Sequence, residues 1–303
     1  MNSSKTATLW VFFITFIWGA EFVLIHNAIE FLEPHSFNAV RFGVAFVFMA
    51  LCTVPWKKWR GFNKGLVLNG CFLGLLLYLG FTFQTLGLLY TTVSNCGFIT
   101  SLNVVLVPLI ALVLLKEPLR VFTGVGVSVA AGGLYLLTAA GEIPFNVGDL
   151  LTLIGAVGFA LHLIYTEKLA RQHEALKLTL IQLGTVSMLS FCTALAFEDV
   201  NGLLDIKVMG NPTVLSAILI TAILGTGLAV IVQTLAQSYL TATRVALIFT
   251  LEPVFAALTA FLVLNERLPA AAGLGAFLII NGIIISELPL GAQTKMLFAK
   301  GKS

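Results

Sequence analysis

Apolar residues run almost unbroken through this chain, and the breaks fall at intervals that a lipid bilayer would set. A helix needs about 20 apolar residues to cross a hydrocarbon core. Ten stretches meet that need: 7–26, 36–55, 65–88, 92–115, 120–140, 148–168, 177–197, 213–238, 241–264 and 269–287. The polar connections between them are short. The longest is 198–212, which leaves no room for a soluble catalytic domain. The expected fold class is therefore an all-α integral membrane protein with ten transmembrane helices.

The pattern also repeats. Gln84–Gly133 returns without a gap as Gln233–Gly282. Gln84-Thr85-Leu86 matches Gln233-Thr234-Leu235, Tyr90 matches Tyr239, and Thr92 matches Thr241. Further on, Lys116-Glu117-Pro118-Leu119 matches Asn265-Glu266-Arg267-Leu268, and Gly124/Gly126 matches Gly273/Gly275. About fifteen of the fifty aligned positions are identical, a fixed-period similarity of the kind that marks a duplicated unit. A slightly shorter offset aligns the earlier runs, setting Trp18 on Phe159, Glu21 on His162 and Arg41 on Gln182. Five helices per unit is an odd number, so the second copy crosses the membrane in the opposite sense to the first. That arrangement is an inverted repeat, and carriers are commonly built this way. The halves are 7–140 and 148–287, followed by a tail, 288–303.

Composition agrees: 58% of residues are apolar, 10% are charged and mean hydropathy is +1.00, against about 25% charged in a soluble domain. The first run does not read as a cleaved signal peptide, because it holds Trp18 and Glu21 and no small-x-small site follows it. With the N-terminus inside, the cytoplasmic segments hold Lys5, Lys57, Lys58, Arg60, Lys64, Lys116, Arg120, Lys168, Arg171, Lys177, Arg244, Lys295, Lys300 and Lys302. The opposite side holds only Lys207 and Arg267. This positive-inside bias places both termini in the cytoplasm, in a cytoplasmic (inner) membrane. The net charge of +3 thus serves topology and gives no reason to expect nucleic acid. Trp56-Lys57-Lys58-Trp59-Arg60 reads as an interfacial anchor against anionic lipid.

These residues resemble the drug/metabolite transporter superfamily, in particular its ten-helix EamA-type members. The resemblance is carried by Phe16-Ile17-Trp18-Gly19, Arg41-Phe42, Phe98-Ile99-Thr100-Ser101-Leu102-Asn103 with Pro108, and the Lys116–Leu119 turn. In the second half it is carried by Leu251-Glu252-Pro253-Val254-Phe255 and Leu264–Leu268. It covers roughly 7 to 287 and implies a polytopic inner-membrane carrier, often an exporter of amino acids or other small metabolites, with a central cavity between the halves.

A charge inside the bilayer costs about 2.5–3.5 kcal/mol on insertion scales, so it needs a partner or a purpose. Glu252 sits midway along the ninth run, beside Pro253, which removes a backbone donor and opens the helix there. Its repeat counterpart is Asn103. Paired polar groups at the midplane of an inverted repeat are where carriers bind cargo or a coupling ion; the alternative is a simple helix-to-helix hydrogen bond. As a buried carboxyl, Glu252 would take up a proton or read a cationic group of the cargo. Glu21 and Arg41 lie at similar depths by helical rise and can pair, either to join two helices or to gate and recognise charge. His162 relays a proton or stays neutral in one hydrogen bond. Gln84 and Gln233 either line the cavity or bond helix to helix, and Tyr78 and Trp18 either stack on cargo or fill the core.

Glycines at 70, 74, 155, 225, 227 and the paired positions 124/126 and 273/275 allow close helix approach. Glu117 and Glu266 are expected to cap helices. Cys52, Cys71, Cys96 and Cys192 have no paired spacing, so they read as packing residues and no metal is expected. His26, His35, His162 and His173 fall on different segments. No phosphate-binding G-x-x-x-x-G-K-[ST] loop or catalytic motif occurs, so neither a cofactor nor enzymatic activity is expected. The reading is a secondary transporter in which two five-helix bundles rock about a midplane site. Its partners are a small-molecule substrate and the lipid bilayer, and the sequence leaves the oligomeric state open, a monomer included. A receptor or an intramembrane enzyme is the alternative.

Overall fold

The computed structural model describes residues 4–53, 62–116, 120–138, 146–256, 258 and 270–286. Each of the ten expected runs holds helix, and no strand occurs among the described residues. The first half contributes α1 (Ser4–Ala28), α2 (Pro34–Thr53), α3 (Lys64–Gly87), α4 (Val93–Ser101), α5 (Asn103–Leu115) and α6 (Val121–Thr138). The second begins with α7 (Val147–Ala170) and α8 (Ala175–Phe197), and two short helices, α9 (Asn201–Leu204) and α10 (Ile206–Met209), lie in the long connection. Next come α11 (Pro212–Ile220), a π-helical segment (Thr221–Leu228), α12 (Ala229–Gln237), α13 (Ala242–Phe249), a helical turn at 252–256, and α14 (Ala270–Ser286). Among the described residues, six helical stretches have the length and apolarity to cross a membrane: Ser4–Ala28, Lys64–Gly87, Asn95–Leu114, Val147–Ala170, Ala175–Phe197 and Pro212–Gln237. The Trp56–Arg60 cluster, Glu117, Glu266, the C-terminal end of the ninth run and the tail from 288 lie outside the described residues.

The fourth and ninth runs are not continuous helices, and they break at equivalent positions. In the first half the Leu102 N–H turns to Ile99 O at 3.1 Å, and Leu102 O accepts from Leu106 N at 2.9 Å. In the second, Leu251 N–H turns to Ile248 O at 3.0 Å, and Leu251 O accepts from Phe255 N at 2.8 Å. Each break tightens one turn from i→i+4 to i→i+3 bonding, which keeps the Leu102 and Leu251 donors paired. Pro253 accounts for a lost donor only in the second half, because Val104 stands at the matching place in the first. The helix starts match too. Thr92 caps α4 by accepting from Asn95 N at 3.1 Å, and Thr241 caps α13 by accepting from Arg244 N at 3.3 Å.

Lipid offers no hydrophobic gain for bringing helices together, so close backbone approach at small residues does that work. A Cβ placed on Gly126 would meet Gly282 O at 2.5 Å, and one on Gly133 would meet Gly275 O at 2.6 Å. Gly126 and Gly133 are the repeat equivalents of Gly275 and Gly282, so α6 and α14 cross through a pseudo-two-fold glycine contact. Gly70 and Gly74 let α3 sit against Ile181 and Thr185 of α8, while Gly155 meets Gly80 O between α7 and α3.

The two sequence halves are not two separate bundles. α3 packs on α7 and α8, α1 packs on α11, the π segment, α12 and α13, and α5 packs on α13 and α7. Helices of each half thus bury their polar and small faces mainly on helices of the other, and rigid rocking of residues 7–140 against 148–287 does not fit this packing.

Candidate functional site

The two interruptions place Asn103 at the first residue of α5 and Glu252 at the restart after α13. Both face one cavity, whose empty space, open mouth included, is about 620 Å³. Trp18, Glu21, Gln84, His162 and Gln233 line it as well, with Thr100, Ser101 and the rings of Phe22, Phe81, Phe159 and Phe249. Gly19, within α1, matters here: a Cβ on it would meet Glu252 O at 2.5 Å, so glycine lets α1 press against the second interruption. Trp18 then stands edge-on to Phe249, with centroids 4.9 Å apart, and its repeat counterpart Phe159 stands edge-on to Phe81 at the same spacing. The Glu252 carboxyl has neither a hydrogen-bond nor an ion-pair partner among the described residues, although the residue is only 6% exposed.

Behind this wall lie two repeat-related pairs of opposite character. Arg41 is fully buried. Its Nη2 donates to Glu21 Oε1 at 2.6 Å, its Nε donates to Thr226 Oγ1 at 2.7 Å, and its guanidinium lies 5.0 Å from the Phe81 ring centroid. The counterpart is neutral. His162 Nε2 is 2.8 Å from Gln182 Oε1, and its Nδ1 faces the Gln233 Nε2 amide at 3.3 Å. An amide nitrogen only donates and an amide oxygen only accepts, so this pattern sets the neutral imidazole with its proton on Nε2. Gln233 Nε2 also donates to Gln237 Oε1 at 3.1 Å, and Gln237 donates to Leu163 O at 2.7 Å. The chain thus holds a buried ion pair in one half and a buried hydrogen-bonded pair in the other.

The π segment explains how α1 and α2 dock on the eighth run. A π turn shifts the i→i+4 ladder and frees a carbonyl. Gly225 O accepts from Trp18 Nε1 at 2.7 Å, and the missing side chain of Gly225 leaves room for the Glu21 carboxylate. Thr226 in the same segment accepts from Arg41. Hydropathy gave no sign of this segment or of Thr226; the Gly225-Thr226-Gly227 run was the one available hint.

Seven of the sequence-expected residues line the cavity. Arg41 does not; it stands behind Glu21. Tyr78 does not either, because it faces α8 and its hydroxyl donates to Thr193 Oγ1 at 3.2 Å. Gln84 both lines the cavity and donates to Thr100 Oγ1 at 3.0 Å, joining α3 to α4. Cys71, Cys96 and Cys192 are free thiols, and the Cys52 side chain lies outside the described residues. Among the described residues no three His, Cys, Asp or Glu side chains gather as metal ligands.

Helices from both halves, one in each interrupted at an equivalent position beside a single cavity of aromatic rings and a few polar groups, make up a multi-pass membrane protein of the transporter class. Comparison with known proteins agrees. The pattern of the EamA-like transporter family matches residues 5–139 and again 146–288. The chain belongs to that family. An uncharacterised transporter of Archaeoglobus fulgidus is 35% identical over 260 residues, covering 86% of this chain and 79% of the relative. The uncharacterised transporter YcxC of Bacillus subtilis is 26% identical over 292 residues, covering 93% and 92%. One crystal structure superposes with a TM-score of 0.72 over 99% of both chains at 18% identity, a likeness of fold alone.

Proposed function

We propose that the protein is a secondary carrier that moves a small organic metabolite, an amino acid or related compound, out of the cell across the cytoplasmic membrane by alternating access. Glu252 carries this reading. A carboxyl buried beside a helix interruption, facing a cavity walled by both repeats and lacking a protein partner, is arranged to meet something that comes and goes. A proton or a cationic group of the cargo satisfies that description. Both termini lie in the cytoplasm on the positive-inside bias, and the preference for export rests on family resemblance. The moving units are then sets of helices drawn from both halves, since the halves interlock. The test is counterflow in proteoliposomes loaded with a panel of amino acids, amines and sugars. Accumulation of one class by the native protein, abolished or shifted in pH dependence by Glu252→Gln, supports the proposal. Transport with unchanged rate and pH dependence in Glu252→Gln overturns the role given to Glu252.

A further inference from the structure

We infer that the cargo is an organic ammonium compound with an apolar or aromatic body and no carboxylate, rather than a zwitterionic amino acid or an organic anion. The inference rests on the carrier reading above and narrows it. Three ionisable side chains line the cavity: Glu21, His162 and Glu252. Glu21 is balanced by Arg41, which is fully buried behind it, outside the cavity lining, and donates from Nη2 to Glu21 and from Nε to Thr226. His162 is neutral by its hydrogen bonds to Gln182 and Gln233. Among the described residues Glu252 is left as the one acid on the wall without a basic partner, free to ionise against a cation, and no lysine or arginine lines the cavity.

An entering ammonium group would find that carboxylate. It would also find Asn103 Oδ1, the repeat counterpart of Glu252, which is a buried acceptor with no partner. The rings of Trp18, Phe22 and Phe249 complete the surroundings, and a desolvated cation gains from an aromatic ring it can reach. A carboxylate on the same molecule fares differently. Gln84 and Gln233 already donate to Thr100 and Gln237, so the donors left for it are neutral ones, the Asn103 amide and the Ser101 hydroxyl. It would be buried beside Glu252 with no cation of its own, and burying an unpaired charge is strongly unfavourable.

Isothermal titration of the purified full-length protein near neutral pH tests this with two matched series: phenethylamine, phenylalanine and phenylpropionate, then tryptamine, tryptophan and indolepropionate. At least one amine is expected to bind about ten-fold or more tightly than its zwitterionic and anionic partners, a margin that one charge-assisted hydrogen bond plus ring contacts would supply. Glu252→Gln is expected to erase the preference and Glu252→Asp to retain it, with both variants checked for native unfolding temperature. Equal or tighter binding of phenylalanine, tryptophan or either anion overturns the inference. So does failure of both amines to bind folded protein, or an amine preference untouched by Glu252→Gln. Counterflow of the same compounds separates the two readings. Transport of a zwitterion without amine binding leaves the carrier standing and removes the cation site, whereas amine binding without any counterflow does the reverse.

Discussion

Arg41 and Glu21 each make the other tolerable in a setting where either alone would be an unpaired buried charge. The pair adds little net stability over an apolar substitute, but removing one partner strands the other, at about 3–5 kcal/mol. Arg41→Ala is therefore expected to lower the thermal unfolding temperature sharply. The double variant Glu21→Gln with Arg41→Gln, which imitates the neutral His162–Gln182 pair, is expected to be milder than the sum of the single changes. A double-mutant cycle read by thermal unfolding in detergent checks this; strict additivity would show that the two groups do not act on each other. This pairing was legible in sequence, because helical rise put both residues at one depth. Tyr78 and Thr226 were not. On a helix that is apolar on all sides, spacing does not reveal which face turns inward, so the sequence leaves Tyr78 between cargo and core, and the structure turns it to α8.

Among the elements, the α6–α14 crossing depends on two glycine pairs that approach backbone to backbone. Gly132 and Gly133 offer a contrast within one turn: a Cβ on Gly132 meets nothing within 4 Å, while one on Gly133 meets Gly275 O, Ile279 N and the Leu278 Cβ. Gly132→Ala should change stability by no more than about 1 kcal/mol, the helix-propensity difference. Gly133→Ala should destabilise, because the obstructing atoms are mainly backbone. Equal unfolding temperatures for the two variants would contradict the packing described. The sequence showed the Gly124/Gly126 repeat but not which glycine meets which, because that depends on the crossing of two helices. The interruptions were half legible. Pro253 marked the second, while the first lies at Leu102 with no proline at 104, and only the repeat could have transferred it.

At the scale of the molecule, hydropathy and the internal repeat revealed ten runs and two related halves, because bilayer thickness and duplication both write themselves into spacing. The way the halves interlock was not legible, since helix-to-helix partners in lipid are chosen by small residues and buried polar atoms rather than by hydropathy. Interlocking places the cavity, with Asn103 from one half and Glu252 from the other, where helices of both halves must move for it to change sides. The central claim is that this one cavity serves both faces of the membrane. It is tested most directly by a single cysteine at Ser101, which lines the cavity, after replacement of the native cysteines 52, 71, 96 and 192. In oriented vesicles, a membrane-impermeant thiol reagent is expected to reach Ser101→Cys from either face, with cargo shifting the balance between them. Labelling from one face only, under every cargo condition, would contradict alternating access through this site.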